Sequence, residues 1–491
     1  MTAPHQDPDG GDGYGWDDFA LNEADDKIAY LAALLSDSGY DRDAARVTLD
    51  QVAAELRLSP ATVEAGWRRT VDHESRLSFP RSWHDDTIDP EFVADFARLL
   101  AHPQVAVLGG NDNGGDTTHL HPGMVVLSFL GSAGWRARKD TTSEGSWWVL
   151  FNTQTGTKAR VRLDVHALLA GACPDDSRPS SDVSYPRQFS PSKAASPELV
   201  DVKITDACPF ESQCGFCYMG STVNGAAGDP ARVMRLLEAL ADQRVFEIAF
   251  GGGEPTLWPR FTEILHYTRA LGMVPNFTTK NYAWLTGPYA TEWLDVAGAV
   301  AFSVNDLRSL RQLTTRVDAA GLGWARNRKI TIQLIPDLIG AENFTTIVTE
   351  AATRRWRVTL LGYKETGRGT TFTPQYRRDP SWWLATMAEV AQTHRVFSVA
   401  IDTALALQSR DALTAAGIPE WLYHVEEGRF SAYVDAVTGR AGPSSYAGDE
   451  ALSALDLDSG PREISAAFDS LFSAWPTTED SPVLPSKGPH L

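Results

Sequence analysis

The sequence predicts an α/β protein, a partial TIM-type barrel of about six parallel β/α units preceded by an N-terminal α+β region. Three observations predict it. From residue 198 onward, apolar strand-like runs alternate with amphipathic helical runs. Before residue 174 the pattern differs: short helical stretches come first, then closely spaced β-rich runs. Between the two, residues 174–197 (PDDSRPSSDVSYPRQFSPSKAASP) are dense in Pro and Ser, the composition of a linker. At 491 residues there is chain for about three domains of roughly 150 residues.

Residues 1–25 are acidic and Gly-rich and read as a disordered tail. They lack the basic and apolar regions of a signal peptide, so a cytoplasmic protein is expected. Residues 26–75 form a helical module. Ile28, Leu31, Leu34 and Leu35 recur at helical spacing. In residues 48–71, Val52, Ala53 and Leu56 share a face, and Ser59–Pro60 offers an N-cap and first-turn proline before Val63 and Trp67. Two short helices around a tight turn resemble a helix-turn-helix, which either binds DNA or packs on the rest of the chain or a partner peptide.

Residues 76–173 read as a β-rich accessory region: QVAVL, MVVLSFL, SWWVLF and ARVRLDV are separated by Gly/Asn/Asp clusters. Trp147 and Trp148 in one of these runs are expected to pack in a core. His119 and His121 sit beside a Gly-rich stretch and read as solvated loop ahead of a metal pair. The core barrel spans 198–405. Its strands are 199–205, 246–252, 274–280, 299–305, 330–336, 358–364 and 397–402, and functional groups are expected at their C-terminal ends. A C-terminal extension follows at 406–475, then a Pro-rich tail at 476–491.

Hydrophobic residues at 43% and charged residues at 22% exclude wholesale disorder. No apolar run approaches the roughly 20 residues of a membrane helix. Lys+Arg 44 against Asp+Glu 63 gives a net charge of −19, which argues against general binding of nucleic acid or anionic membrane. The four cysteines are Cys173, Cys208, Cys214 and Cys217, and three of them fall within one short loop after the first barrel strand. A secreted disulfide scaffold spreads many more along the chain. Three clustered thiolates can hold three irons of a [4Fe–4S] cubane and leave the fourth open to a ligand. A structural zinc site calls for four protein ligands, and the nearest histidines in sequence are His166 and His266. Zinc, and three unrelated buried thiols, remain the alternatives. Cys173 is a buried thiol or a hydrogen-atom donor.

The segment ITDACPFESQCGFCYMGS, residues 204–221, resembles the cluster motif of the radical S-adenosylmethionine (radical SAM) superfamily. The usual CxxxCxxC is here CxxxxxCxxC, with a first gap two residues longer. Phe216 matches the aromatic before the last cysteine, whose backbone touches the adenine in the family. One unit downstream, AFGGGEPTLWP at 249–259 resembles the GGEP motif that binds the methionine amino group. Gly252, Gly253, Glu254 and Pro255 match it, with glycines allowing close backbone approach and a carboxylate able to pair with an ammonium.

Ser303 and Asn305 fall where the family often contacts the ribose or the methionine carboxylate. Thr278, Thr279, Lys280, Asn281 and Gln333 are further candidates for the pocket. Lys364 or Arg368, in LLGYKETGRG, is a candidate for an anionic group of substrate or cofactor. RFSAYVDAVTGRAGPSSY at 429–446 resembles the strand-turn-strand piece of SPASM-type extensions without their cysteines; an ordinary hairpin is the alternative. The resemblance covers about residues 198–405. It implies a [4Fe–4S] cluster on Cys208, Cys214 and Cys217, S-adenosylmethionine as cofactor, an electron donor such as flavodoxin or ferredoxin, and hydrogen abstraction from a peptide or small natural-product substrate. An iron–sulfur DNA-binding sensor using the N-terminal helix pair is the other class considered.

Overall fold

The computed structural model of the chain describes residues 90–101, 135–163 and 189–476, apart from 377–378, 395–397 and 419–421, together with residues 20–21, 28, 54, 59 and 107–108. The helix-turn-helix-like pair, the His119/His121 pair, Cys173 and the two expected tails therefore lie wholly or mostly outside the described residues. The chain divides into two compact units. One is formed by Met1–Lys139, Gly145–Asn152 and Thr157–Phe189, the other by Asp140–Glu144, Thr153–Gly156 and Ser190–Leu491.

In the first unit, helix α1 (Pro90–Ala101) begins with a proline, whose missing N–H costs nothing at a helix start. It falls in the stretch expected as β-rich, where Phe92, Phe96 and Leu99 recur at helical spacing and are buried. Strands β1 (Trp135–Thr142), β2 (Gly145–Asn152) and β3 (Lys158–Val161) form a three-stranded sheet in that order, the last three residues of β1 being assigned to the second unit. Both tryptophans expected in its core are 1% exposed. Trp148 meets Phe92 edge-on at 5.2 Å and donates from its indole N–H to Asp95 at 3.1 Å.

The second unit carries the predicted alternation. Its strands are β4 (Leu199–Thr205), β5 (Glu247–Gly252), β6 (Val274–Thr279), β7 (Val300–Ser303), β8 (Ile330–Leu334), β9 (Arg357–Leu360) and β10 (Val399–Ile401). All pair parallel with their neighbours. Between them run α2 (Pro230–Asp242), α3 (Phe261–Ala270), α4 (Ala290–Val296), α5 (Leu307–Ala320), α6 (Trp324–Asn327), α7 (Ala341–Thr353) and α8 (Ser381–Thr393). The boundaries follow local chemistry. Asp229 caps α2 by accepting from the Ala231 and Arg232 N–H groups, with Pro230 at the first position. Asp306 caps α5, which ends on Gly321 in the left-handed conformation at φ +57°. Val200, Val202, Ile248, Phe250, Val300, Phe302, Ile330 and Ile332 are essentially fully buried under the helices.

Two expected boundaries shift. After α9 (Thr403–Gln408) and α10 (Arg410–Ala415), the C-terminal extension joins the core sheet as β11 (Ser431–Asp435), β12 (Arg440–Gly442) and β13 (Ser453–Ala454), followed by α11 (Pro461–Ala474). The strand order is β10-β9-β8-β7-β6-β5-β4-β11-β12-β13. The sheet is therefore open, with β10 and β13 at its edges. β11 lies parallel to β4, and β11–β12 is an antiparallel hairpin. The stretch expected as a linker ends early: from Ser190 it belongs to the second unit, where Ala194, Ser196 and Glu198 are buried. Glu198 donates its N–H to Phe430 and accepts from Phe246 and Glu247, so these residues are braced rather than free. Among the described residues no helix is long and apolar enough to cross a membrane.

Candidate active site

The C-terminal ends of the strands surround a cavity of about 510 Å³. The loop after β4 contributes the three thiols. Its longer first gap is absorbed by a single 3₁₀ turn, Glu211–Gln213. Cys208 N–H donates to Thr222 O at 2.8 Å, Cys214 N–H to Glu211 O at 3.2 Å, and Cys217 N–H to Cys214 O at 3.0 Å. Glu211 in turn accepts from the Val223 N–H at 2.9 Å. Backbone bonds thus fix the path of all three cysteines, and all three line the cavity. Burial pushes the Cys208 and Cys214 thiols up, while Lys280 pulls Cys214 back down. The Lys280 ammonium lies 3.5 Å from the Cys214 sulfur.

Among the described residues no three or more His, Cys, Asp or Glu side chains converge as ligands of a single ion. Three thiols facing one cavity can each take a different iron of a cubane.

Gly252 and Gly253 follow β5. The expected reason for these glycines was approach to a ligand. The geometry gives another. A Cβ on Gly252 would lie 2.3 Å from Thr205 O, and one on Gly253 2.1 Å from Ala207 O. Gly252 also has φ +114°, a conformation side chains rarely adopt. The two glycines let the β5 end press against the cysteine loop. Gly253 N–H donates to Thr205 O at 2.6 Å and Glu254 N–H to Ala207 O at 2.9 Å. A Cβ on Gly251 would meet nothing within 4 Å, so here the backbone stands open to the cavity.

Glu254 is 2% exposed and largely committed. Its Oε1 accepts from the Thr256 N–H (3.2 Å), the Thr256 hydroxyl (2.6 Å) and the Thr279 hydroxyl (2.8 Å); Oε2 accepts from the Lys280 N–H (3.0 Å). Burial pushes its carboxyl up and these bonds oppose the rise. Only Oε2, with one bond, keeps room for a further donor. Pro255 is buried and starts a 3₁₀ turn.

Phe216 lines the cavity and meets Phe372 edge-on at 5.9 Å. Ser303, Asn305, Thr278, Thr279, Lys280 and Gln333 line it too. The Ser303 carbonyl accepts from the Tyr282 hydroxyl at 2.6 Å, and Asn305 Oδ1 from the Ile335 N–H at 3.3 Å. Asn281 instead turns to Thr256, donating from its amide at 3.1 Å.

The two basic candidates after β9 are both engaged. Arg368 clasps the cysteine loop. Its guanidinium donates to Ser221 O (2.6 Å) and Cys214 O (3.3 Å), and its N–H to Cys217 O (2.9 Å). These bonds make it a strut for the loop. Lys364 pairs with Asp402 at 3.1 Å and its ammonium lies 4.7 Å from the centroids of the Tyr218 and Tyr446 rings.

Sequence reasoning missed Asp201, Asp402 and Arg368's role as a strut. Asp201 had a signal. In LVDVKIT, buried in a parallel sheet, residues 201 and 203 break an otherwise apolar pattern. Both line the cavity.

Residues 202–306 match the family model described as the Radical SAM superfamily. Similar solved structures include Streptococcus suis SuiB bound to S-adenosylmethionine, at 15% identity, 64% of this chain, 82% of that one and a TM-score of 0.46. Native anSMEcpe with bound AdoMet gives 10%, 56%, 84% and 0.37. BtrN in complex with AdoMet and 2-DOIA gives 13%, 56%, 84% and 0.24. None of the curated proteins matches the chain.

Proposed function

We propose, for a chain that carries a radical SAM superfamily domain, that Cys208, Cys214 and Cys217 hold a [4Fe–4S] cluster and that the cavity beside them binds S-adenosylmethionine and a substrate. The superfamily's cofactors are these two. When bound, they supply a 5′-deoxyadenosyl radical, formed on one-electron reduction of S-adenosylmethionine, that takes hydrogen from the substrate. The observation that carries the reading is the three thiols of one hydrogen-bonded loop facing the cavity onto which Gly251 and Glu254 also open.

The chain's own residues bind, orient and exclude water. The open Gly251 backbone and Glu254 Oε2 take the cofactor's ammonium. Ser303 and Asn305 lie at its ribose or carboxylate, and Phe216 at its adenine. Lys280 places positive charge at the Cys214 sulfur, and Arg368 keeps the loop from opening. The substrate is a peptide or natural-product intermediate, and the electron comes from a donor such as flavodoxin or ferredoxin. The DNA-binding alternative rests on residues 48–71, and no observation favours it.

The test is anaerobic reconstitution followed by dithionite and S-adenosylmethionine. About four irons per chain and slow release of 5′-deoxyadenosine without substrate are expected. Stoichiometric zinc with no iron uptake would overturn the assignment.

A further inference from the structure

Nearly every charged side chain at the cavity has a partner. Lys203 bridges Asp206 at 2.6 Å and Asp435 at 3.0 Å. Glu254 and Arg368 are bound as described. Lys364 is matched by Asp402, whose other oxygen caps α9 and holds the Gly362 N–H, each at 2.8 Å. Near Lys364, Glu427 accepts from the Thr403 and Tyr446 hydroxyls.

Asp201 is the exception. It sits mid-strand in β4, opposite Tyr433 of β11 and Ala249 of β5. Its carboxylate lines the cavity and has no hydrogen bond or ion pair with any described residue. The surrounding charge is unbalanced: the carboxylates of Asp201, Asp402 and Glu427 face one ammonium, Lys364. Burial pushes the Asp201 carboxyl up to about 6 against the pull of Lys364. A carboxylate in an enclosed site is unfavourable until an opposite charge or donor reaches it. On the cysteine-loop wall of the same cavity, Ser221 is 2% exposed and its hydroxyl has no hydrogen-bond partner among the described residues.

We propose that this part of the cavity is a substrate subsite for a cationic nitrogen group, an ammonium or a guanidinium, with Asp201 as its counter-ion and the Tyr218 and Tyr433 rings as walls. Tyr218 directly follows the last cysteine, so a group held here lies beside the reacting end of the cavity. Lys364 does not oppose the cation, because Asp402 matches its charge. An anionic group would find no unpaired cation in this part, since Lys364 is matched and its side chain is 11% exposed. Aromatic rings beside a carboxylate favour a cation over a neutral donor. The inference rests on the cavity being the active site and adds the class of substrate.

Agmatine, which carries both an ammonium and a guanidinium, is the probe, titrated calorimetrically into the iron-loaded protein with S-adenosylmethionine present. Binding in the millimolar range or tighter is expected, with hexanamide and glutarate binding at least about tenfold more weakly. Asp201→Asn weakens agmatine by about tenfold or more, and Asp201→Glu keeps part of the affinity. Iron content and circular dichroism report whether each variant is folded, and the comparison of the three ligands on the wild type needs no variant. No agmatine binding to the wild type, equal binding of hexanamide or glutarate, or an Asp201→Asn variant that binds agmatine as the wild type does would each overturn the subsite. Iron content and 5′-deoxyadenosine release by the same wild-type preparation report separately on the radical SAM reading. A protein that passes those and rejects agmatine refutes the subsite alone.

Discussion

Two groups of residues line one cavity and differ in what their polar atoms already do. Around the cysteine loop they are committed: Glu254 holds four donors, Arg368 ties three carbonyls, and Gly252 and Gly253 pack backbone against backbone. Around the middle of β4 they are not: the Asp201 carboxylate is without a partner among the described residues. The difference separates two tasks. A site that must hold a cofactor in one geometry is built with its hydrogen bonds complete before the cofactor arrives. A site that recognises a visiting substrate leaves groups for the visitor to satisfy, at some expense in stability.

The largest effect tests the committed group at its centre. Replacing Cys208, Cys214 or Cys217 by Ala should take iron after reconstitution from about four per chain to near zero, read by iron analysis and the visible absorption band. Cys173→Ala should leave iron content at the wild-type level. Loss of iron there, or retention in a loop variant, would show the ligand set to be wrong.

Glu254→Ala comes next. It leaves the Thr256 and Thr279 hydroxyls and the Lys280 N–H without their acceptor in a buried place, at a cost of about 2–4 kcal/mol. Weaker S-adenosylmethionine binding and a lower unfolding midpoint should appear together. Glu254→Gln should not restore affinity, because its amide N–H₂ must face one of the same donors. A variant that loses cofactor affinity with unchanged stability would mean the carboxylate is less committed than its four bonds indicate.

How far the sequence reaches differs between the two groups in the same way. The cysteine loop, GGEP and the strand ends were legible because each is a local motif on a predicted strand, and β4 to β10 lie where alternation puts them. The partners were not legible. Lys203 meets Asp435 across 232 residues, and Arg368 meets Cys214 across 154. No periodicity encodes such pairings. The stretch at 429–446 forms the expected strand-turn-strand, yet nothing local said that β11 would lie beside β4 and complete the wall at Asp201. The packing role of Gly252 and Gly253 was not legible, since a sequence shows that a Cβ is absent but not which backbone it would strike.

Lys280→Met sharpens the comparison without dismantling it. The cluster should still assemble, because no iron ligand changes. A positive charge and N–H donor near a thiolate favour the more negative, reduced cluster. Its removal should lower the midpoint potential by about 60 mV, tenfold in a one-electron equilibrium, read by EPR-monitored titration. A potential unchanged or raised would show that the 3.5 Å contact does not act on the cluster.

The smallest effect belongs to the uncommitted group and concerns stability against pH. Burial raises the Asp201 carboxyl from 3.8 to about 6, so the folded chain binds this proton more tightly than the unfolded chain. Stability from this group is then highest below pH 4, falls as pH rises from about 4 to about 6, and stays at its lower level above that. Glu427, raised from 4.5 to about 7 by burial, falls over a later window. The neighbours Lys364, Tyr218 and Tyr433 are each raised above their ordinary values and keep their charge states across this range. Asp201→Asn removes the penalty at high pH only. The variant should therefore unfold a few degrees above the wild type at pH 8 and by no such margin at pH 4.5, a shift consistent with about 1 kcal/mol. Agmatine should close part of the gap at pH 8 by stabilising the wild type and not the variant. An Asn variant less stable than the wild type at pH 8 would mean that Asp201 already has a partner in the folded chain, and the contrast between the two groups would disappear.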